Sequence, residues 1–290
     1  MSVRKILGSI ACAVAFGATL LAQTPATPAA SQGVGGVVPA AGAIQGNNRT
    51  GGRAGGPRPP SAPTPRWPDG HPMLGPAPGK LGFWNAGTGG LTGKNGMSLP
   101  TNMDISEVPF MPWSKVVYEA RQKDQQKNDP HARCMPPGGP RQFHTPYGLM
   151  LYELPEQKRV FVMSGGGPRT WRVIYMDGRK HPDSDDFIPT FLGHSVGHWE
   201  GDTLVVDSVG FNEQFWFARA GYPHTESLHL IERITRVDYN TLKYEATIDD
   251  PKAYTKPWTG GHLIYWTPDE DFEEYFCQDN NRDADHLVGK

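Results

Sequence analysis

Apolar and polar residues alternate with a period of two through most of the second half of the chain. The alternation is cleanest where Leu242, Tyr244, Ala246 and Ile248 interleave with Lys243, Glu245 and Thr247, which predicts a strand with one face inside and one in water. Residues 148–153, 158–163 and 170–176 read as three earlier strands, separated by the turn-forming Pro155-Glu156-Gln157 and Gly165-Gly166-Gly167-Pro168. Residues 193–211 read as a β-hairpin that turns at Glu200-Gly201-Asp202. Residues 227–237, 241–248, 261–267 and 272–277 complete a set of about nine. Short sequential strands with tight turns and no helices between them predict an all-β, antiparallel up-and-down barrel of lipocalin-like form, because closure removes exposed edges. A β-sandwich is the alternative.

Upstream the period changes. Residues 112–128 predict a surface helix stopped by Asp129-Pro130. The following proline-rich stretch, to residue 146, predicts a rigid loop carrying Arg133, Arg141 and His144. Residues 72–109 are rich in Gly and Pro and predict an irregular strap anchored by Phe83 and Trp84. Residues 23–70 hold almost no large apolar side chain and predict a disordered linker. Residues 1–22 have the layout of a secretory signal peptide: Arg4 and Lys5, an apolar run, then small residues. A membrane anchor and a lipoprotein signal at Cys12 are the alternatives. The expected organisation is therefore signal peptide 1–22, linker 23–70, strap, helix and loop 71–146, and barrel 147–290.

Charge and cysteine content sharpen the setting. Residues 1–69 carry a net charge of +5 and the remainder −7, out of −2 for the 290-residue chain. An acidic folded part argues against a nucleic-acid partner, which requires concentrated positive charge. After residue 22 no stretch is long and apolar enough to cross a bilayer. Signal cleavage removes Cys12 and leaves Cys134 and Cys277, which in an oxidising compartment predict a disulfide. The expected location is the periplasm or outside the cell.

The runs DPHARCMPPGGPR, VIYMDGRKHP, GHSVGHWEGDTLVVDSVGF, DDPKAYTKPW and EYFCQDNN resemble an exported bacterial family whose module often follows a small DUF6152 domain. The resemblance covers roughly residues 129–281 and implies export, but no particular reaction. Two departures stand out: a low-complexity linker stands where the extra domain would be, and His198 stands where the resemblance leads to an expectation of Arg.

No GxSxG, HExxH or phosphate-binding loop is present. The candidate chemistry rests on histidines and carboxylates, which exchange protons near neutral pH. The preferred set is His194, oriented by Asp207 or Glu232, with His224 as second proton-transfer group. Candidate substrate contacts are Arg179, His181, Trp199, Trp216, Tyr254 and Arg141. No cofactor or metal is expected; zinc on His194, His198 and His224 is the alternative. Residues 212–224, with Phe215, Trp216 and Phe217 in a row, predict a lid over the barrel mouth. The structural reading of each group stands beside this one: an ion-paired turn at Asp177–Arg179, a core role for His194, and aromatics that simply fill the barrel. Together these features point to an exported lyase, isomerase or hydrolase for a small carbohydrate or aromatic compound, or else to a non-catalytic small-molecule binding protein.

Overall fold

A computed structural model describes residues 62–85, 89–145, 147–168, 170–183, 188–272 and 274–278. The expected signal peptide and most of the expected linker lie outside the described residues. Nine strands close into one barrel in sequence order: β1 (Gly82–Asn85), β2 (Leu149–Leu154), β3 (Arg159–Ser164), β4 (Trp171–Tyr175), β5 (His194–Glu200), β6 (Thr203–Val209), β7 (His229–Asp238), β8 (Thr241–Asp249) and β9 (Trp258–Pro268). The barrel is thus all-β, and the sandwich alternative falls away.

One member of the expected strand set is exchanged for another segment. Phe83 and Trp84 lie within β1, which pairs with both β2 and β9 and seals the barrel, so the expected strap contributes a strand. The described part of 272–277 is not a strand. Phe272 packs on Phe83 at 5.9 Å, Tyr275 stacks on Tyr147 at 4.4 Å, and Cys277 is disulfide-bonded to Cys134. The linker also ends sooner than position 70, since Arg66 pairs with Asp202 at 2.6 Å and Met73 N donates to Pro65 O.

Alternation along each strand decides what faces in. Leu204, Val206 and Ser208 of β6 and Leu230, Glu232 and Ile234 of β7 are buried, while Asp207, His229 and Ile231 look outward. The β5–β6 hairpin turns on Gly201 and Asp202, between the paired Glu200 and Thr203. Gly201 takes φ of +59°, which suits the first central position of a two-residue primed turn.

The lumen is filled. The proline-rich loop does not stay at the surface: its Gly139–His144 turn is a 3-10 helix whose Gly139, Pro140, Arg141, Gln142 and Phe143 are buried. Phe143 stacks on Tyr244 with centroids 4.1 Å apart, and His144 stacks on His262 at 4.0 Å. Behind this plug lies a buried polar network. Arg172 donates to Ser195 Oγ at 2.8 Å, to Ser208 Oγ at 2.6 Å and through Nη1 to Glu232 Oε1 at 3.1 Å. Its Nη2 also donates to Glu232 Oε2, and Tyr244 OH donates to Glu232 Oε1 at 2.8 Å.

The ends of the barrel are covered by different segments. At one end Arg236 donates to Met73 O and Gly75 O and lies on the rings of Trp84 and Trp266. At the other, the loop 211–228 folds in, with Phe211, Phe215, Trp216, Phe217 and Tyr222 all buried. The expected lid is therefore a plug. Three consecutive aromatics find cover because Arg121 of the helix α1 (Pro112–Lys123) lies over Trp216 and Tyr222 stacks on Phe217.

One pairing breaks the up-and-down pattern. β4 and β5 are parallel, through Ile174↔Ser195 and Tyr175↔Val196. A parallel neighbour needs a crossover, and the chain between the two strands brings Asp177, Arg179 and His181 against the outer wall of the barrel. That connection builds the candidate site.

Candidate functional site

His194 opens β5 on its outward face, and the crossover sets His181 beside it, with the two Nδ1 atoms 2.8 Å apart. His181 Nε2 lies 3.1 Å from Asp207 Oδ1, and His229 Nε2 lies 2.8 Å from the same oxygen. Four side chains from β5, β6, β7 and the crossover thus form one chain, His194–His181–Asp207–His229. The cluster is half-exposed on the outer wall, with the Asp207 side chain 40% accessible.

The hydrogen bonds order the protons. A carboxylate oxygen can only accept, so His181 and His229 both carry hydrogen on Nε2. In the arrangement that leaves a lone pair on His181 Nδ1, His194 donates to it from its own Nδ1. This tautomer makes His194 Nε2 the basic nitrogen of the group. Burial, followed by the nearby His181 and Arg179, lowers the His194 pKa from the ordinary imidazole value, and Asp177 opposes the shift. His194 therefore stays neutral and able to accept a proton near neutral pH.

The neighbouring turn is stiff. Arg179 donates to Asp177 from Nε at 2.9 Å and from Nη2 at 2.6 Å, across Gly178 at φ +76°. The Arg179 guanidinium beside it holds the Asp177 carboxyl down at about 2. Arg179 also lies 3.8 Å from the centroid of Tyr175, and Tyr175 stacks on His194 at 5.2 Å.

The remaining expected site residues are placed elsewhere. Glu232 faces the lumen and is bound to Arg172, so it cannot orient His194, which looks out from the opposite side of the sheet. His224 is buried among Phe215 and Phe217, with Nε2 donating to Phe215 O at 2.9 Å, and burial lowers its pKa. Arg141 is buried and paired with Asp129 at 2.6 Å. Tyr254 is a core residue whose OH donates to Pro223 O at 2.7 Å. Trp216 is in the plug, and Trp199 packs on His71 at 4.6 Å. The zinc set is not assembled either: His198 is 62% exposed and contacts Glu200, and among the described residues no group of three or more His, Cys, Asp or Glu is arranged to hold a metal ion.

His229 is the member that sequence reading passes over. The alternation in Leu228-His229-Leu230 places it on the outward face, but the register Asp207↔Ile231 that brings it next to Asp207 is set by the barrel. Comparison with family models, curated proteins and solved structures finds no match to this chain.

One structural feature bears on location. Cys134 and Cys277 form a disulfide, which is compatible with an oxidising compartment outside the cytoplasm. No helix among the described residues is long and apolar enough to cross a membrane.

Proposed function

We propose that this chain is an exported acid–base catalyst, a lyase, isomerase or hydrolase, that works from the outer wall of its barrel on a carbohydrate or aromatic compound. The observation that carries this reading is the sharing of Asp207 Oδ1 by His181 and His229 while His181 also meets His194. In this scheme His194 Nε2 takes a proton from the substrate. The positive charge that develops is met by transfer of the Nδ1 proton towards His181, whose Nε2–H already rests on the Asp207 carboxylate. Positioned general bases of this kind contribute about 10²–10⁴-fold to rate. The non-catalytic carrier reading receives less support, because the lumen that would hold a ligand is packed with Phe143, Tyr244 and the Arg172–Glu232 pair.

The test is to incubate the wild type and His194→Ala with neutral oligosaccharides, uronate-containing oligosaccharides and small aromatic esters, reading products by mass spectrometry. The wild type should convert at least one class and His194→Ala should lose about 100-fold or more, with an unchanged melting temperature. Because the His194 pKa is lowered, activity should fall towards acid through a midpoint below the ordinary imidazole value. Equal turnover by the two proteins, or none by either, would overturn the proposal.

A further inference from the structure

Outside the proton-transfer chain, the outer wall of β2–β4 is unusually rich in exposed rings and guanidinium groups. Trp171 is 61% accessible and Tyr152 is also exposed. Ladder pairing aligns Tyr152↔Phe161↔Val173 in one row and Met163↔Trp171 in the next, all on outward positions. The row at the end of these strands pairs Arg159 with Tyr175. Arg159 lies 5.7 Å from the Tyr175 centroid and Arg179 lies 3.8 Å from it, so two cations share one ring, and that ring stacks on His194.

The two guanidinium groups differ in how they are used. Arg179 commits Nε and Nη2 to Asp177, which fixes its plane on the ring and leaves Nη1 on the far edge. Arg159 forms no ion pair with a carboxylate among the described residues, so its fork is available to a bidentate acceptor.

We propose that Arg159 and Arg179, laid against Tyr175, form a carboxylate-binding subsite next to His194, and that the substrate is an acidic oligosaccharide whose other sugar rings lie along the aromatic rows of β2–β4. This rests on the acid–base reading of His194. Charge complementarity selects the carboxylate, and exposed aromatic faces in register select flat sugar rings over a small free anion. The guanidinium groups are held in advance by the Asp177 turn and the Tyr175 ring, which lowers the ordering cost of binding.

The test measures binding of trigalacturonate, the neutral galactotriose and inorganic phosphate by titration calorimetry. The proteins are the wild type, Arg159→Gln, Arg179→Gln, the double variant, Asp177→Asn and, as a control for general charge, Lys256→Gln in the exposed β8–β9 connection. Trigalacturonate should bind the wild type at least about tenfold more tightly than galactotriose, the scale of one good charge-assisted contact. The double variant should erase that preference, and Lys256→Gln should keep it. Asp177→Asn should weaken it only partly, since it loosens the turn without removing a cation. Equal binding of the acidic and neutral sugars, or a preference untouched by the double variant, would overturn the subsite. Phosphate binding as tight as trigalacturonate would overturn the assignment to an acidic sugar.

Failure of the acid–base reading is separable from failure of the subsite. Arg-dependent binding of trigalacturonate without turnover of any substrate leaves the subsite standing and removes the catalysis. Turnover of a neutral sugar that is lost in His194→Ala and unchanged in the double variant does the reverse.

Discussion

Glu232→Gln separates a buried structural pair from a catalytic carboxylate. The Glu232 and Arg172 side chains are 0% and 1% accessible, and Glu232 accepts from two Arg172 nitrogens and from Tyr244. Glutamine keeps the shape but turns one oxygen into an NH2 group. Either orientation of the amide then points a donor at a donor, and Arg172 keeps a charge with no counter-charge. Removing one partner of a buried pair costs about 3–5 kcal/mol. For a barrel of this size each kcal/mol moves the melting temperature by about 2–4 °C, so the fall should be about 6–20 °C. Thermal unfolding followed by near-ultraviolet circular dichroism reads it directly. The triple variant Arg172→Met, Glu232→Leu, Tyr244→Phe removes the charges and the orphaned hydroxyl together and should regain most of the loss, because Ser195 and Ser208 still bond each other at 2.9 Å. A Glu232→Gln protein within 1 kcal/mol of wild type, on the scale of that estimate, would refute the structural role. One that melts normally yet loses turnover would place Glu232 in the chemistry after all.

Three further outcomes are expected. Burial lowers the His262 pKa to about 4 from 6.5, so between those values the unfolded chain binds a proton that the folded chain refuses. The associated stability is complete above pH 6.5 and is lost as pH falls to about 4, a change of roughly 3 kcal/mol; urea midpoints across that range should depend less steeply on pH in His262→Gln, the remaining slope belonging to groups such as His144, whose pKa burial also lowers, and an unchanged slope would count against it. Reducing the Cys134–Cys277 bond, which closes a separation of 143 residues, should add two hydrogens by intact mass and cost about 5 kcal/mol in the loop-entropy description. Trp216→Ala should destabilise by about 3–5 kcal/mol with no effect on ligand binding, since Trp216 is a plug residue under Arg121; the opposite pattern would restore it as a lid.

Several features follow from the chain's own pattern. Period-two alternation is a local property, so it marks β2 to β9 and the hairpin at Gly201 without any tertiary knowledge. The pairing of Cys134 with Cys277 follows once only two cysteines remain. The polar residues are also visible, Asp177, Arg179 and His181 as one cluster and His194 with Asp207 as another, though not that the two meet.

Which of those residues meet was decided only in three dimensions. Glu232 and Asp207 look alike as single carboxylates in β-branched strands, yet strand parity sends one to Arg172 in the lumen and the other to His181 and His229 outside. A change of one residue in register would exchange those faces, and nothing local announces the register. The parallel step between β4 and β5 is likewise invisible in a run of short strands, and it is what lays His181 across the outer wall. The same holds for β1, four residues whose strand character comes from closing the gap between β2 and β9. The proline-rich turn is a further case, because its burial follows from the space inside the barrel that Phe143 fills. Local pattern determines which segments become strands; partner, face and register depend on contacts between residues far apart in the chain, and those place the candidate site.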